Sequence, residues 1–473
     1  MFKKQQCKQT CPCFRLRYRP NAVLKFALMW SVLMIGLLAG CGNRGVIAPR
    51  NTVTLTIWHP YGHQMKSSME GLIEEFNETV GAEKGIHIQT TYIADAIDLN
   101  EKLIAAADGE PGAPALPEIA IIYPRGGIAL IEKGMLIDFS TQFSEDELSL
   151  FVPAFLEEGK LGGDSLYIMP VAKSTEMMYV NLTIFDRFAE DTGVRLAQLS
   201  TFEGVLDAAD RYYEWSEGKS FVHITDLFNW AMIGFQQLGG EFVVDNSPAF
   251  SSPIFKRIWE AYYPFAVQGG IAIFDGYADL LFASGEIVCG IGTSASVTYF
   301  PEMVTYADNT KEEMRFALLP LPVFEGGEKV TLQRGAGVCV LKSDSTKEYA
   351  AGVFIKWLTD PTQNLRFATQ TGYMPVTEAA YNSLLTDGVR NVTNENIKML
   401  YETLAQVQKE YTFYYPPVFD GLEEMQNKFN RTLRKAAEDS RREYLSLLPA
   451  QEAQQVYARV SEGVFEGFVS NGG

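Results

Sequence analysis

Two histidines stand four residues apart in the segment Trp58-His59-Pro60-Tyr61-Gly62-His63, a spacing at which imidazoles can share a metal ion. Pro60 and Gly62 prevent the helix that would aim both rings to one side, and no cysteine or clear carboxylate partner stands nearby. The segment therefore reads as a strand running into a loop whose polar groups face a cleft. The run Gly292–Ser296 (GTSAS) departs from a nucleophile elbow, because Ser296 stands where the second glycine belongs. GAGVCV at 335–340 lacks the third glycine of a dinucleotide fingerprint, and no G-x4-GK[ST] phosphate loop occurs. With 58 acidic residues, carboxylate pairs are too common to mark acid–base catalysis. Cys7, Cys11 and Cys13 (CKQTCPC) have no folded scaffold around them that would make a metal site. Cys289 and Cys339 sit in apolar, strand-like runs and read as small buried hydrophobes rather than a disulfide. No catalytic residue, metal or cofactor is expected.

The chain that must position these groups has 473 residues, 47% hydrophobic and 21% charged, with room for two or three core-forming units of about 150 residues. The formal charge is −18. Residues 1–40 hold Lys3, Lys4, Lys8, Arg15, Arg17, Arg19 and Lys25 and no acid, which leaves 33 basic against 58 acidic residues for the remainder. Such an acidic body repels phosphate backbones, so nucleic acid is not an expected partner. The basic start leads into FALMWSVLMIGLLAG (26–40), shorter than the roughly 20 residues of a membrane span and matched to the apolar region of an export signal. No later stretch is apolar and long enough to cross a bilayer. Leu38-Ala39-Gly40-Cys41 resembles the lipobox of bacterial lipoproteins. That resemblance implies a signal peptide over 1–40, a diacylglycerol on Cys41, a tether over 41–50 and anchoring on the outer face of the cell membrane.

Beyond the tether, strand and helix patterns alternate. VTLTIWH (53–59), GIHIQTTYI (85–93) and PEIAIIYP (117–124) read as strands, with helical spacing in SSMEGLIEEFNETV (67–80) and LNEKLIAAADG (99–109) between them. The alternation predicts right-handed crossovers and a mostly parallel sheet. Further on, 166–181 and 330–342 read as extended runs, and 201–216, 226–240, 254–270 and 346–360 as helices. Trp357 falls on the apolar face of the last of these, a core position.

At FIKWLTDPTQNLRFATQTGYMPV (354–376) the chain resembles the family 1 extracellular solute-binding proteins, receptors of ABC importers for sugars and related solutes. Further blocks follow in the family's order: LTIWHPYG, LPEIAIIY, YIMPVAKSTEMMYVN, TFEGVLDAA, QLGGEFVVD, FASGEIVCGIGTSAS and ALLPLPVFEGG. The resemblance implies an α/β, two-lobed periplasmic-binding-protein fold of type II with three hinge crossovers, near Tyr167–Ala172, Leu319–Phe324 and Tyr373–Val376. The N-terminal lobe is then 51–168 plus 325–373, and the C-terminal lobe 172–320 plus 376–473. It also implies a monomeric receptor rather than an enzyme, passing its ligand to ABC permease subunits. Family contact regions carried onto this chain give His59, Tyr61, Tyr92, Tyr123, Ser174, Thr175, Asp226, Phe228, Trp230, Ser294, Ser296, Arg334, Gly335 and Tyr373 as ligand-binding residues. The glycerol-phosphate receptors of this family place an arginine in a late segment matching 416–428, where this chain has Asp420, Glu423 and Glu424. That departure favours a neutral sugar or oligosaccharide over glycerol 3-phosphate or a glycerophosphodiester; a secreted glycan-cleaving enzyme would instead need a carboxylate pair fixed in the cleft.

Overall fold

The computed structural model describes residues 52–473 except 95, 162, 387–391 and 420, so the expected export signal, Cys41, the expected tether and Asp420 lie outside the described residues. In chain order, the strands of the two main sheets are β1 (Val53–His59), β2 (Ile86–Tyr92), β3 (Ile119–Ile122), β4 (Met169–Pro170), β5 (Ser174–Asn181), β6 (Val222–Ile224), β7 (Cys289–Thr293), β8 (Phe316–Pro320), β9 (Val330–Arg334), β10 (Gly337–Val340) and β11 (Thr412–Tyr414). The helices used below are α1 (His63–Glu78), α2 (Ala96–Ala107), α3 (Phe202–Trp215), α4 (Leu227–Gln237), α5 (Pro253–Gln268), α6 (Ser345–Leu358), α7 (Pro361–Thr371), α8 (Glu395–Glu410) and α9 (Leu422–Leu447). Several start where the sequence supplies a capping oxygen. Thr201 accepts from the Gly204 N–H, Asp226 from Asn229, and Asp344 from Thr346 and Lys347.

The first sheet has the order β2-β1-β3-β10-β4. β1 runs parallel to β2 from Val53↔Ile86 to His59↔Tyr92 and parallel to β3, whereas β10 runs antiparallel to β3 and β4. All four residues of β3 are buried, as a strand covered on both faces requires. α1 and α6 cover this sheet through Phe76, whose ring lies 5.0 Å from Phe354 and 5.4 Å from a half-buried Trp357. The second sheet has the order β11-β9-β5-β7-β6, with β8 paired to the far part of β5. The expected parallel pairing therefore holds among β1–β3, while in the second sheet it is confined to the pairs β6·β7 and β9·β11. β5 enters straight from the first sheet with no helix between, and β7, β8 and β9 all run against it.

Two sequence runs that read as single strands are each divided between the sheets. Residues 166–181 split into β4 and β5, and 330–342 into β9 and β10. The second split turns at Gly335, whose φ is +118°, and a Cβ there would lie 2.3 Å from the carbonyl oxygen of Ala172. Glycine is needed for both reasons. A third passage, at Gly372–Val376, lies against the first: Lys173 and Met374 exchange backbone hydrogen bonds of 3.2 and 2.6 Å. Asn364, 1% exposed, ties these two passages together. Its Nδ2 donates to the Val171 carbonyl at 2.7 Å, and its Oδ1 accepts from the Val376 N–H at 2.7 Å. Beside them, the Lys173 ammonium donates to the Glu158 carboxylate at 2.7 Å, with side chains 2% and 7% exposed, and Gln333 donates to the same carboxylate.

The middle passage differs in place from its expected position at Leu319–Phe324. Pro320 ends β8, and the segment through Pro322 stays beside the second sheet because Gln237 holds it there. The Gln237 side chain donates to the carbonyls of Pro322 and Val330 and accepts from the Phe324 N–H. Residues 330–334 consequently belong to the second sheet, and the chain leaves it only after Arg334. Cys289 and Cys339 are free, buried and in different sheets. Among the described residues, no helix is long and apolar enough to cross a membrane.

Replacing Asn364 by alanine strands two buried backbone groups, each worth about 1–3 kcal/mol when unpaired. Asn364→Ala is expected to lower the urea-derived stability by about 2–5 kcal/mol, against less than about 0.5 kcal/mol for an exposed control substitution such as Lys435→Ala.

Candidate functional site

β1 delivers its last residue, His59, to the carboxyl end of the first sheet, and the pairing His59↔Tyr92 sets the ends of β1 and β2 side by side. Tyr123 follows β3 directly. Carboxyl ends of neighbouring parallel strands are where open α/β sheets hold ligands. The His59 ring lies 5.9 Å from that of Tyr92 and 6.0 Å from that of Tyr61. Tyr61 in turn lies 5.5 Å from Phe367 and 6.1 Å from Tyr373, which the third passage brings in. Tyr123 is close enough to influence the ionisation of Tyr61, Tyr373 and Arg334.

His59 is 0% exposed and, among the described residues, neither ring nitrogen has a partner; Tyr61 is 3% exposed and its hydroxyl is likewise unpartnered there. Buried polar groups are nearly always paired, so three such atoms in one aromatic cluster are unusual. Burial, reinforced by the Lys66 cation, lowers the His59 pKa to about 4, so its imidazole stays neutral near pH 7. Burial also raises the Tyr61 and Tyr373 hydroxyls above the usual phenol range. Both tyrosines therefore stay neutral phenols near pH 7.

On the second sheet, the register Arg334↔Ser174 places Arg334 diagonally from Glu176, since Ser174 and Glu176 share a face of β5. The Arg334 guanidinium donates to the Glu176 carboxylate, with side chains 29% and 5% exposed. Burial raises the Glu176 pKa, while Arg334 works against that rise. Asp226 adds a second negative charge within range of both. Tyr299, ending the turn that starts at Ser294, lies near Tyr92 and Tyr373.

The structure thus brings together His59, Tyr61, Tyr92, Tyr123, Arg334 and Tyr373, with Gly335 as the joint beside them. Ser174 contributes backbone pairing to Arg334. The Thr175 N–H donates to Ser294 Oγ at 3.3 Å, and its hydroxyl meets that of Thr331 at 2.9 Å, so these two residues brace β5. Ser296 is half-buried in the same turn. Asp226 is engaged as the α4 cap and accepts from Gln426 and Asn430 of α9. Phe228 and Trp230 correct the sequence expectation. At 0% and 2% exposed they belong to the second sheet's core, Phe228 against Phe242 and Phe429 and Trp230 against Phe202, Tyr262 and Phe324. α4 is buried on nearly every side, so both residues enter the core although they project in opposite directions. Lys173 is consumed by Glu158. Among the described residues no three His, Cys, Asp or Glu side chains group as metal ligands, and the side chain of His63 lies outside them.

Sequence reading missed Glu176 and Tyr299. Glu176 was available as the acid two positions beyond Ser174 in a strand. Tyr299 carries no local signal. The assembled groups offer aromatic faces and directional donors and acceptors, which is equipment for recognising a polar, ring-shaped solute.

The neutral His59 has a consequence for stability. Between pH 6.5 and about 4 the unfolded chain takes up a proton here that the folded chain refuses, so stability falls with pH across that window. The loss is on the order of 3 kcal/mol by pH 4. Urea midpoints measured from pH 7 to 4.5 are expected to fall less steeply in His59→Asn than in the parent.

Residues 71–392 match the family model described as bacterial extracellular solute-binding protein. No curated protein sequence matches the chain. The structure is similar to that of a cyclic alpha-maltosyl-1,6-maltose binding protein from Arthrobacter globiformis, at 18% identity and TM-score 0.63, over 89% of this chain and 100% of that one. An ABC substrate-binding protein from Listeria monocytogenes in complex with cycloalternan gives 15% identity and TM-score 0.64, over 89% and 100%. UgpB from Mycobacterium tuberculosis in complex with glycerophosphocholine gives 16% identity and TM-score 0.62, over 89% and 99%. The fold is that of the two-lobed solute-binding proteins.

Proposed function

The chain belongs to the bacterial extracellular solute-binding proteins, and from that premise we propose that it is the receptor lipoprotein of an ABC importer for a neutral sugar or oligosaccharide. The observation that carries the choice of ligand is the cluster of buried polar atoms on His59 and Tyr61 that no protein group satisfies. Hydroxyls of an uncharged solute would pair with them, and the surrounding tyrosine rings would cover its apolar faces. As a receptor it binds and releases; it is not an enzyme.

Two of the three neighbours described above bind cyclic or maltose-type oligosaccharides, which agrees with this reading. The UgpB neighbour keeps glycerophosphodiesters as the alternative ligand class. Against that alternative, Lys173 and Arg334 are each already matched to a carboxylate. On this reading the lobes are the two sheets with their helices, the solute lies between them beside the three passages, and a ligand touching both favours the closed arrangement. Cys41, carrying lipid, would hold the receptor at the membrane near its permease, with the short tether between.

Adding maltose, mannotriose or related neutral saccharides is expected to raise the melting temperature of the protein, as ligand binding to the folded state requires. No shift with any of them at millimolar concentration contradicts the sugar reading. Tyr61→Phe separates binding from structure. Its hydroxyl has no partner in the protein, so the variant should melt no lower than the parent, yet bind the active saccharide about tenfold more weakly for one lost hydrogen bond.

A further inference from the structure

We propose that Glu176 sets the charge the site accepts: paired with Arg334, it turns a partly exposed cation of the cleft into a donor for neutral hydroxyls and excludes phosphorylated or acidic solutes. The inference rests on the solute-receptor reading above and names the device that selects among its ligands.

The pairing follows from strand register. Arg334 closes β9 opposite Ser174, and Glu176 lies on the same face of β5 two residues further in. The carboxylate is the deeper partner, 5% exposed against 29% for the guanidinium. An anion approaching Arg334 therefore meets a positive charge backed by a fixed negative one. Asp226 adds to that negative field and cannot turn away, since Asn229, Gln426 and Asn430 hold its carboxylate. Of the other nearby cations among the described residues, Lys173 is spent on Glu158 inside the hinge, and Lys66, 4.8 Å over the Tyr92 ring, is matched by Glu70 at 3.8 Å. Two carboxylates thus face one guanidinium, and a phosphate would enter against a net negative charge at partly buried dielectric, where such charges interact strongly. A neutral hydroxyl does not pay that penalty. Among the described residues the guanidinium makes one hydrogen bond, to Glu176, which leaves further donors for a solute.

Glu176→Gln keeps the side-chain shape and an acceptor oxygen while removing the charge. In isothermal titration at low salt, the variant is expected to bind inorganic phosphate and glycerol 3-phosphate at least tenfold more tightly than the parent. The gain should vanish in the double variant Glu176→Gln/Arg334→Gln. A folded Glu176→Gln protein with no gain for either anion overturns the proposal, as does a gain that survives in the double variant. If Glu176→Gln does not fold, the parent decides: a saccharide that binds it must bind at least tenfold more weakly as its phosphate ester, and equal binding overturns the proposal. The two readings fail separately. Saccharide binding without an anion gain in the variant sinks the role of Glu176 alone, whereas an anion gain in a protein that binds no saccharide sinks the sugar reading alone.

Discussion

The constraint on which the structure turns is the meeting of three chain passages between two sheets. Pro170–Ser174, Arg334–Gly337 and Gly372–Val376 touch one another, and buried polar side chains fix the contact: Asn364 between the first and third, and Glu158 between Lys173 and Gln333. Removing one partner of such a buried ion pair leaves an uncompensated charge, which typically costs 3–5 kcal/mol. Movement of one sheet against the other must be absorbed by a few residues here, with Gly335 already in a conformation only glycine adopts easily. Ser174, Arg334 and Tyr373 stand at or beside these passages, so the joint and the proposed recognition groups are built from the same residues. A solute that touches them acts directly on the joint.

Much of this was legible in the sequence, and what was not has a physical cause. The alternation before residue 124 gave β1, α1, β2, α2 and β3 in order, because each buries a face through local periodicity. The lobe boundary at 330–342 was not visible, since a strand that changes sheets at one glycine has the same pattern as an unbroken strand. Pro320 and Pro322 look like hinge stiffeners until Gln237, far away in sequence, is seen to hold their backbone in the second sheet. His59, Tyr61 and Tyr373 could be picked as candidates because they follow strand ends and family blocks. Phe228 and Trp230 belong to the core because α4 is buried on nearly every side, which its short sequence after the cap does not reveal. Glu176 escaped notice because its meaning lies in its cross-strand partner.

Electrostatics link the whole chain to its site. An acidic body with its nearby cations paired is poorly suited to polyanions, and the proposed recognition groups on the first sheet are neutral: an imidazole held uncharged by burial and phenols that keep their protons. Specificity for an uncharged solute then comes from unsatisfied donors and acceptors rather than from opposite charge. On the proposed reading, the cost of three orphaned buried atoms would be relieved when the solute binds.

The most direct test is nuclear magnetic resonance of the imidazoles, feasible because the chain has only four histidines. Adding a neutral saccharide that raises the melting temperature should shift the His59 ring resonances and leave those of His223, bonded to the Gly276 carbonyl within the second lobe, unmoved. Saccharide binding that leaves His59 unchanged would contradict the account.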